Sequence, residues 1–107
     1  MSDPGKLNRR LVLEAPVDAD DGAGGVSRTY ETVATLWASV IPISAQEEIE
    51  AVRLGARITH RIAVRFSSDI TARHRFRDGS AVYRIVSLRD RDGQRRFLDI
   101  SAEQRID

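Results

Sequence analysis

His60 and His74 are the only two histidines in the chain, and there is no cysteine. They are therefore the only side chains whose ordinary pKa lies near neutrality. Both sit in strand-like runs beside arginines, Thr59-His60-Arg61 and Arg73-His74-Arg75. His60 falls on the apolar face of its run and reads as a hydrogen-bonded core residue, not a proton shuttle. With Asp69 the pair matches no metal-ligand spacing. Asp18, Asp20 and Asp21 resemble the opening of a calcium loop, but the bidentate acid expected further along is missing. Gly22, Gly24 and Gly25 fail as a phosphate cradle, because no helix starts after them and no Lys-Ser/Thr follows. Glu47, Glu48 and Glu50 offer carboxylates for acid–base chemistry, yet their positions are those of a helix start, where the dipole favours negative charge. Thiolate chemistry and disulfides are excluded with cysteine. The sequence predicts no catalysis, no cofactor and no metal.

The elements that position these residues are organised around Thr32–Phe66. Val33, Thr35, Trp37, Ser39 and Ile41 alternate with Ala34, Leu36, Ala38 and Val40, a strand that Pro42 ends. Ser44 stands three residues before Glu47, the spacing of a capping box. Ala45, Ile49, Val52 and Ala56 then form the apolar stripe of a short helix over Ala45–Leu54, with Arg53 near its end and Gly55 as its stop. Ile58, His60, Ile62, Val64 and Phe66 alternate with Thr59, Arg61, Ala63 and Arg65, a strand with one apolar and one basic face.

On either side the pattern is β throughout. Residues 1–8 read as a loose N-terminal arm and Arg9–Ala15 as a first strand ended by Pro16. Residues 16–26 read as a mobile Gly/Asp-rich loop. Ala72–Arg77 and Ala81–Asp90 flank an Asp78-Gly79 hairpin signal; Tyr83 and Ile85 lie on one side of the second run, Val82, Val86 and Leu88 on the other. Asp92-Gly93 marks the next turn, Arg95–Ala102 closes the chain as a strand, and 103–107 read as a tail. The expected fold is mainly β: one domain over 1–107, a small antiparallel barrel or sandwich of about six strands with one short helix in a long connection.

Composition narrows function further. At 41% hydrophobic and 31% charged, the 107 residues are those of an ordinary globular domain. No apolar run reaches the roughly 20 residues of a membrane span, and the first residues lack a secretory h-region. The formal charge of +1 is uneven: residues 1–60 hold six Lys/Arg against nine Asp/Glu, and residues 61–107 hold eleven Arg against seven Asp/Glu. An acidic half and a basic half suit head-to-tail packing of identical subunits. Arg61, Arg65, Arg73 and Arg75 head the arginine-rich sheet, so a barrel that binds nucleic acid is the alternative reading. Alternation, however, assigns most of the nearby aromatics to the core and leaves no stacking platform.

The order of features resembles the phage head–tail joining family, the head-closure or stopper proteins of long-tailed phages and gene transfer agents. The resemblance runs from Leu11 to Glu103. It is carried by the Gly-rich loop, Leu36-Trp37-Ala38, Pro42, the capped helix with Glu47, Thr59-His60-Arg61, Val64-Arg65-Phe66, Ile70-Thr71, Tyr83-Arg84-Ile85, Asp90 with Asp92, and Leu98. It implies a structural virion protein, made in the host cytoplasm, that forms a ring at the head–tail neck and closes the DNA exit channel. A ring of six is favoured, with twelve as the alternative. Its implied partners are portal and adaptor proteins above, tail-terminator and tail-tube proteins below, and packaged double-stranded DNA in the lumen, with no membrane. On that reading Asp18, Asp20, Asp21, Gly22, Gly24 and Gly25 form a loop toward the channel or a neighbour. Gln46, Glu47, Glu50 and Arg53 make ring contacts, and Arg61, Arg65, Arg73 and Arg75 present a basic sheet to acidic neighbours. A tail-terminator ring of the same neck is the nearest alternative, and an adaptor is discounted as more helical. The family pattern places a basic residue or glycine before the helix glutamate and a cysteine near the end, where this chain has Gln46 and Ala102.

Overall fold

Alternating apolar residues from six strands meet inside a closed barrel. The computed structural model describes residues 7–106, with β1 (Arg9–Asp20), β2 (Val26–Pro42), α1 (Ala45–Arg53), β3 (His60–Arg65), β4 (Arg75–Asp78), β5 (Ala81–Asp90) and β6 (Phe97–Ile106). The strands run β1-β2-β3-β6-β5-β4 around the barrel, which β4 closes against β1, and every pairing is antiparallel. Leu11, Ile62, Val64, Phe76 and Ile100 are the largest fully buried side chains. Each contributes about 1.5–3 kcal/mol by leaving water. The expected antiparallel barrel with a single inserted helix is present.

Several boundaries differ from those the sequence predicts. β1 does not end at Pro16: it continues to Asp20, with Pro16 opposite Tyr30. Beyond Glu14 the strand has β2 on one side only, because β4 pairs no further than Glu14↔Arg75. Such an edge tolerates the missing N–H. Most of 16–26 is therefore paired strand, and the connection shrinks to the turn around Asp21–Gly25. The C-terminal residues 103–106 are likewise not a tail but the last part of β6, paired with Ala81–Arg84 of β5. The second half of β5 also departs from simple alternation. A bulge between Ile85 and Ser87 resets the register, so Leu88 joins Tyr83 and Ile85 on the core side while Val86 does not. Strand β4 starts only at Arg75, because Thr71–His74 close a turn through His74 N–H to Thr71 O at 3.1 Å. Of the N-terminal arm, residues 1–6 lie outside the described residues, as does Asp107.

Helix α1 forms as its cap dictates. Ser44 Oγ accepts the Glu47 N–H at 3.1 Å, and Glu47 Oε1 accepts the Ser44 N–H at 3.5 Å, so two groups at the helix start are satisfied reciprocally. Gly55 takes φ +83° just past the C-cap Leu54. What the stripe does not do is face the core, for no residue of the helix is buried.

Candidate interaction site

Three features stand out from the barrel: a β-ribbon, the helix, and a trough in the outer wall. The ribbon is the part of β1 and β2 that pairs with nothing else. From Ala15↔Glu31 to Asp20↔Val26 it runs about 20 Å beyond the barrel rim. A lone two-stranded ribbon is only marginally stable in water, so its base matters. There Glu14, 8% exposed, sits at the bulge between Leu13 and Glu14. It accepts Arg75 Nε at 2.7 Å and Arg77 Nε at 3.2 Å from β4. The Arg75 guanidinium also lies 3.5 Å from the ring centre of Tyr30, a ribbon residue. Charge-assisted hydrogen bonds and a cation–π contact thus clamp the ribbon to the barrel.

The ribbon tip brings the predicted loop residues together. Asp20 Oδ1 accepts Gly22 N–H at 2.9 Å, and Asp21 Oδ1 accepts Ala23 N–H at 2.8 Å and Gly25 N–H at 3.0 Å. These backbone donors hold the Asp21 carboxyl below the usual carboxylate range. At Gly25 a Cβ would come within 2.6 Å of Asp21 Oδ2, so any side chain there would displace that carboxylate. Gly22 and Gly24 adopt φ of +80° and +82°, which the turn needs. Asp18 plays a different part: Arg28 grips both its oxygens, at 2.7 and 3.2 Å, and lowers its pKa, with Arg73 adding to the field. The net negative charge of the tip therefore rests with Asp20 and Asp21.

Around α1 the predicted contact residues separate. Glu47 faces the barrel, where its Oε2 accepts Arg61 Nη2 at 2.9 Å. At about 100° per residue, Ile49 and Val52 lie roughly 160° and 140° around the helix from Glu47. They point away from the barrel and are 56% and 57% exposed, while Leu54 is 87% exposed. The helix is amphipathic but mounted inside out. Gln46, Glu50 and Arg53 lie beside this apolar stripe rather than forming the outward face alone. Local periodicity locates the stripe but carries no information about which way the cap mounts it.

Beside the helix start, the outer faces of β2, β3, β6 and β5 form a trough of about 780 Å³. Two cross-strand rows build it, Ser39–Ala63–Asp99–Arg89 and Ile41–Arg61–Ser101–Ser87. Small side chains form the floor, and Ser39 and Ala63 stay 8% and 4% exposed although they point outward. Arg91 from the β5–β6 turn grips Asp99 at 2.7 Å along one rim, and Ile41, Pro42 and Ile43 make the other. Sequence reading missed the trough, because only the register of four strands brings its residues into line. It also missed Glu14 and Tyr30, although an acid interrupting the apolar end of the first strand was a visible signal.

The arginines do not make one basic sheet. Arg61 and Arg65 stand on β3 and Arg75 on β4, which the strand order puts on opposite sides of the barrel. Arg61 pairs with Glu47, Arg65 lies over Phe97 at 6.0 Å, and Arg75 is half-buried against Glu14; Arg73 is exposed on the Thr71–His74 turn. Arg9 pairs with Asp78, Arg84 with Glu103 and Arg96 with Asp92. Phe76 and Tyr83 are buried, so neither can stack a base. His60 packs edge-to-face on Tyr83 with ring centres 5.4 Å apart, and its Nδ1 lies 2.8 Å from Thr59 Oγ1. Burial, then the nearby Arg9 charge, lowers its pKa. His74 Nδ1 accepts the Thr71 N–H at 3.1 Å and so serves its own turn. Among the described residues no group of three or more His, Asp or Glu could hold a metal ion, and no helix is long and apolar enough to cross a membrane.

A closed six-stranded antiparallel barrel carrying a clamped ribbon, an outward apolar helix and a trough defines a small β-barrel protein with one inserted helix. The chain belongs to the phage head completion protein family, whose model matches residues 2–105. It is similar to a chain in the native gene transfer agent virion, at 28% identity and TM-score 0.66, covering 94% of this chain and 96% of that one. It is also similar to protein SF1141 from Shigella flexneri 2a, solved in solution, at 29% identity and TM-score 0.75, with 96% of each chain covered. No curated protein matches it.

Proposed function

We propose that this head completion protein is a non-enzymatic ring subunit of the head–tail neck. The ring stops the DNA exit channel after packaging and joins the portal and adaptor to the tail. Membership of the head completion family and likeness to a gene transfer agent virion chain support a place in the particle. The observation that carries the finer reading is the ribbon, a structured arm with Asp20 and Asp21 at its tip and a buried charge clamp at its base. In a ring, such arms reach inward from every subunit. Fixed carboxylates at the tip repel the DNA phosphates and narrow the channel by charge as well as bulk. Pairing of the sheet arginines with internal carboxylates leaves little of the continuous cationic track that a nucleic-acid binder uses.

The test uses DNA-filled heads that carry portal and adaptor but lack this protein. Adding the purified chain is expected to stop DNA leakage and to place labelled protein at one vertex by electron microscopy, where the ring can be counted. Removing Ala19–Ser27 is expected to preserve the barrel and vertex binding while DNA leaks. Salt-sensitive binding to free DNA with no vertex density would overturn the proposal.

A further inference from the structure

The inside-out helix and the trough are complementary, and they lie side by side on one chain. The face of α1 turned away from the barrel carries Ala45, Ile49 and Val52, with Glu48 one turn before Val52. Among the described residues neither Glu48 nor Glu50 has an ion-pair partner. A nine-residue helix with no buried residue is marginal in water by itself. An apolar face turned outward, opposite the Glu47–Arg61 pair, marks a docking surface. The trough offers what this face lacks. Its floor of small residues leaves room for aliphatic side chains, Ile41 and Ile43 supply an apolar rim, and Arg89 stands at the far rim with no carboxylate at ion-pair distance among the described residues.

We infer that helix α1 of one copy seats in the trough of the next, with Ile49 and Val52 over the Ala63–Ser101 floor and Glu48 beside Arg89. The inference rests on the reading that several copies assemble together, and it identifies their contact. Apolar residues meet an apolar rim, and an unpaired carboxylate meets an unpaired guanidinium, so charge complementarity selects a second copy as occupant. The two surfaces are different patches of one chain. The contact is therefore heterologous, the kind that closes into a ring when the rotation permits. Because α1 borders its own trough, successive helices lie next to one another in a collar.

The chain has no cysteine of its own, so single-cysteine copies report the contact cleanly. Particles are assembled from a mixture of Val52→Cys and Ser87→Cys chains, distinguished by a size tag, and then oxidised. Both positions are exposed, so the barrel is undisturbed. A disulfide between the two variants, several-fold more abundant than with an Ala19→Cys partner, is expected, since bonding needs Cα atoms within about 7 Å. Glu48→Arg or Arg89→Glu alone is expected to reduce incorporation several-fold, and mixing the two variants to restore it in part. The inference is overturned if the chain is incorporated but Val52→Cys couples only to itself or to a different virion protein. Absence of the wild-type chain from particles overturns the neck assignment, and this contact with it.

Discussion

Replacing Glu14 with alanine tests whether the ribbon is held by charge at its base. The carboxylate is 8% exposed and accepts Arg75 Nε at 2.7 Å and Arg77 Nε at 3.2 Å. Removing one partner of a fully buried ion pair costs about 3–5 kcal/mol, because the remaining charge is stranded. The side chains of Arg75 and Arg77 are 20% and 35% exposed, so water recovers part of that loss. A cost of about 2–3 kcal/mol follows, and for a domain of this size it lowers Tm by about 10–20 °C. Thermal unfolding by circular dichroism measures the whole effect, and amide exchange at Val17–Asp20 reports whether the ribbon loosens first. Arg28→Ala removes an exposed pair with Asp18 and is expected to leave Tm where it was. Combining Glu14→Ala with Arg75→Ala should cost less than the two single losses added together. The clamp is refuted if Glu14→Ala shifts stability by less than about 0.5 kcal/mol, the range of an ordinary surface substitution.

Four further outcomes are expected. His60 has a pKa below its ordinary 6.5, so its contribution to stability is full above that pH and is lost as the pH falls toward its folded value. Urea midpoints should therefore drop between pH 7.5 and 5.5 for the native chain, and His60→Gln should flatten that slope; an unchanged slope counts against it. Asp21 has a lowered pKa through the Ala23 and Gly25 amides, so protection of those amides should persist at neutral pH and vanish only as pH falls below the usual carboxylate range, near 4. Ser44→Ala should weaken the helix by about 0.5–2 kcal/mol. Because no residue of α1 is buried, faster exchange within Glu47–Leu54 should report the loss while Tm barely moves; a large fall in Tm would mean that the helix packs tightly on the barrel. Arg95 has φ +58°, so Arg95→Gly should raise stability by up to about 1 kcal/mol, and a fall in the unfolding midpoint would contradict the strain.

Features whose causes are local can be read along the chain before any folding. Ser44 and Glu47 start the helix and Gly55 stops it, because the donors and acceptors of a cap lie within one turn. Asp78-Gly79 turns a hairpin for the same reason, with Gly79 at φ +61°. Alternation likewise determined the inward set Leu11, Leu13, Ile62, Val64, Leu98 and Ile100. The order of these signals carried the resemblance that family membership bears out. Whatever depends on a neighbouring strand emerges only from the folded barrel. Pro16 reads as a stop until β4 is seen to leave β1 at Glu14, and residues 103–106 read as a tail until the start of β5 is seen to pair with them. The bulge at Ile85/Ser87 redirects Leu88, and only registers across β2, β3, β6 and β5 assemble the trough. The direction of the helix stripe is the sharpest case. Periodicity says that Ile49 and Val52 share a face, but which way that face turns shows only once Glu47, on the opposite face, is seen beside Arg61 of β3.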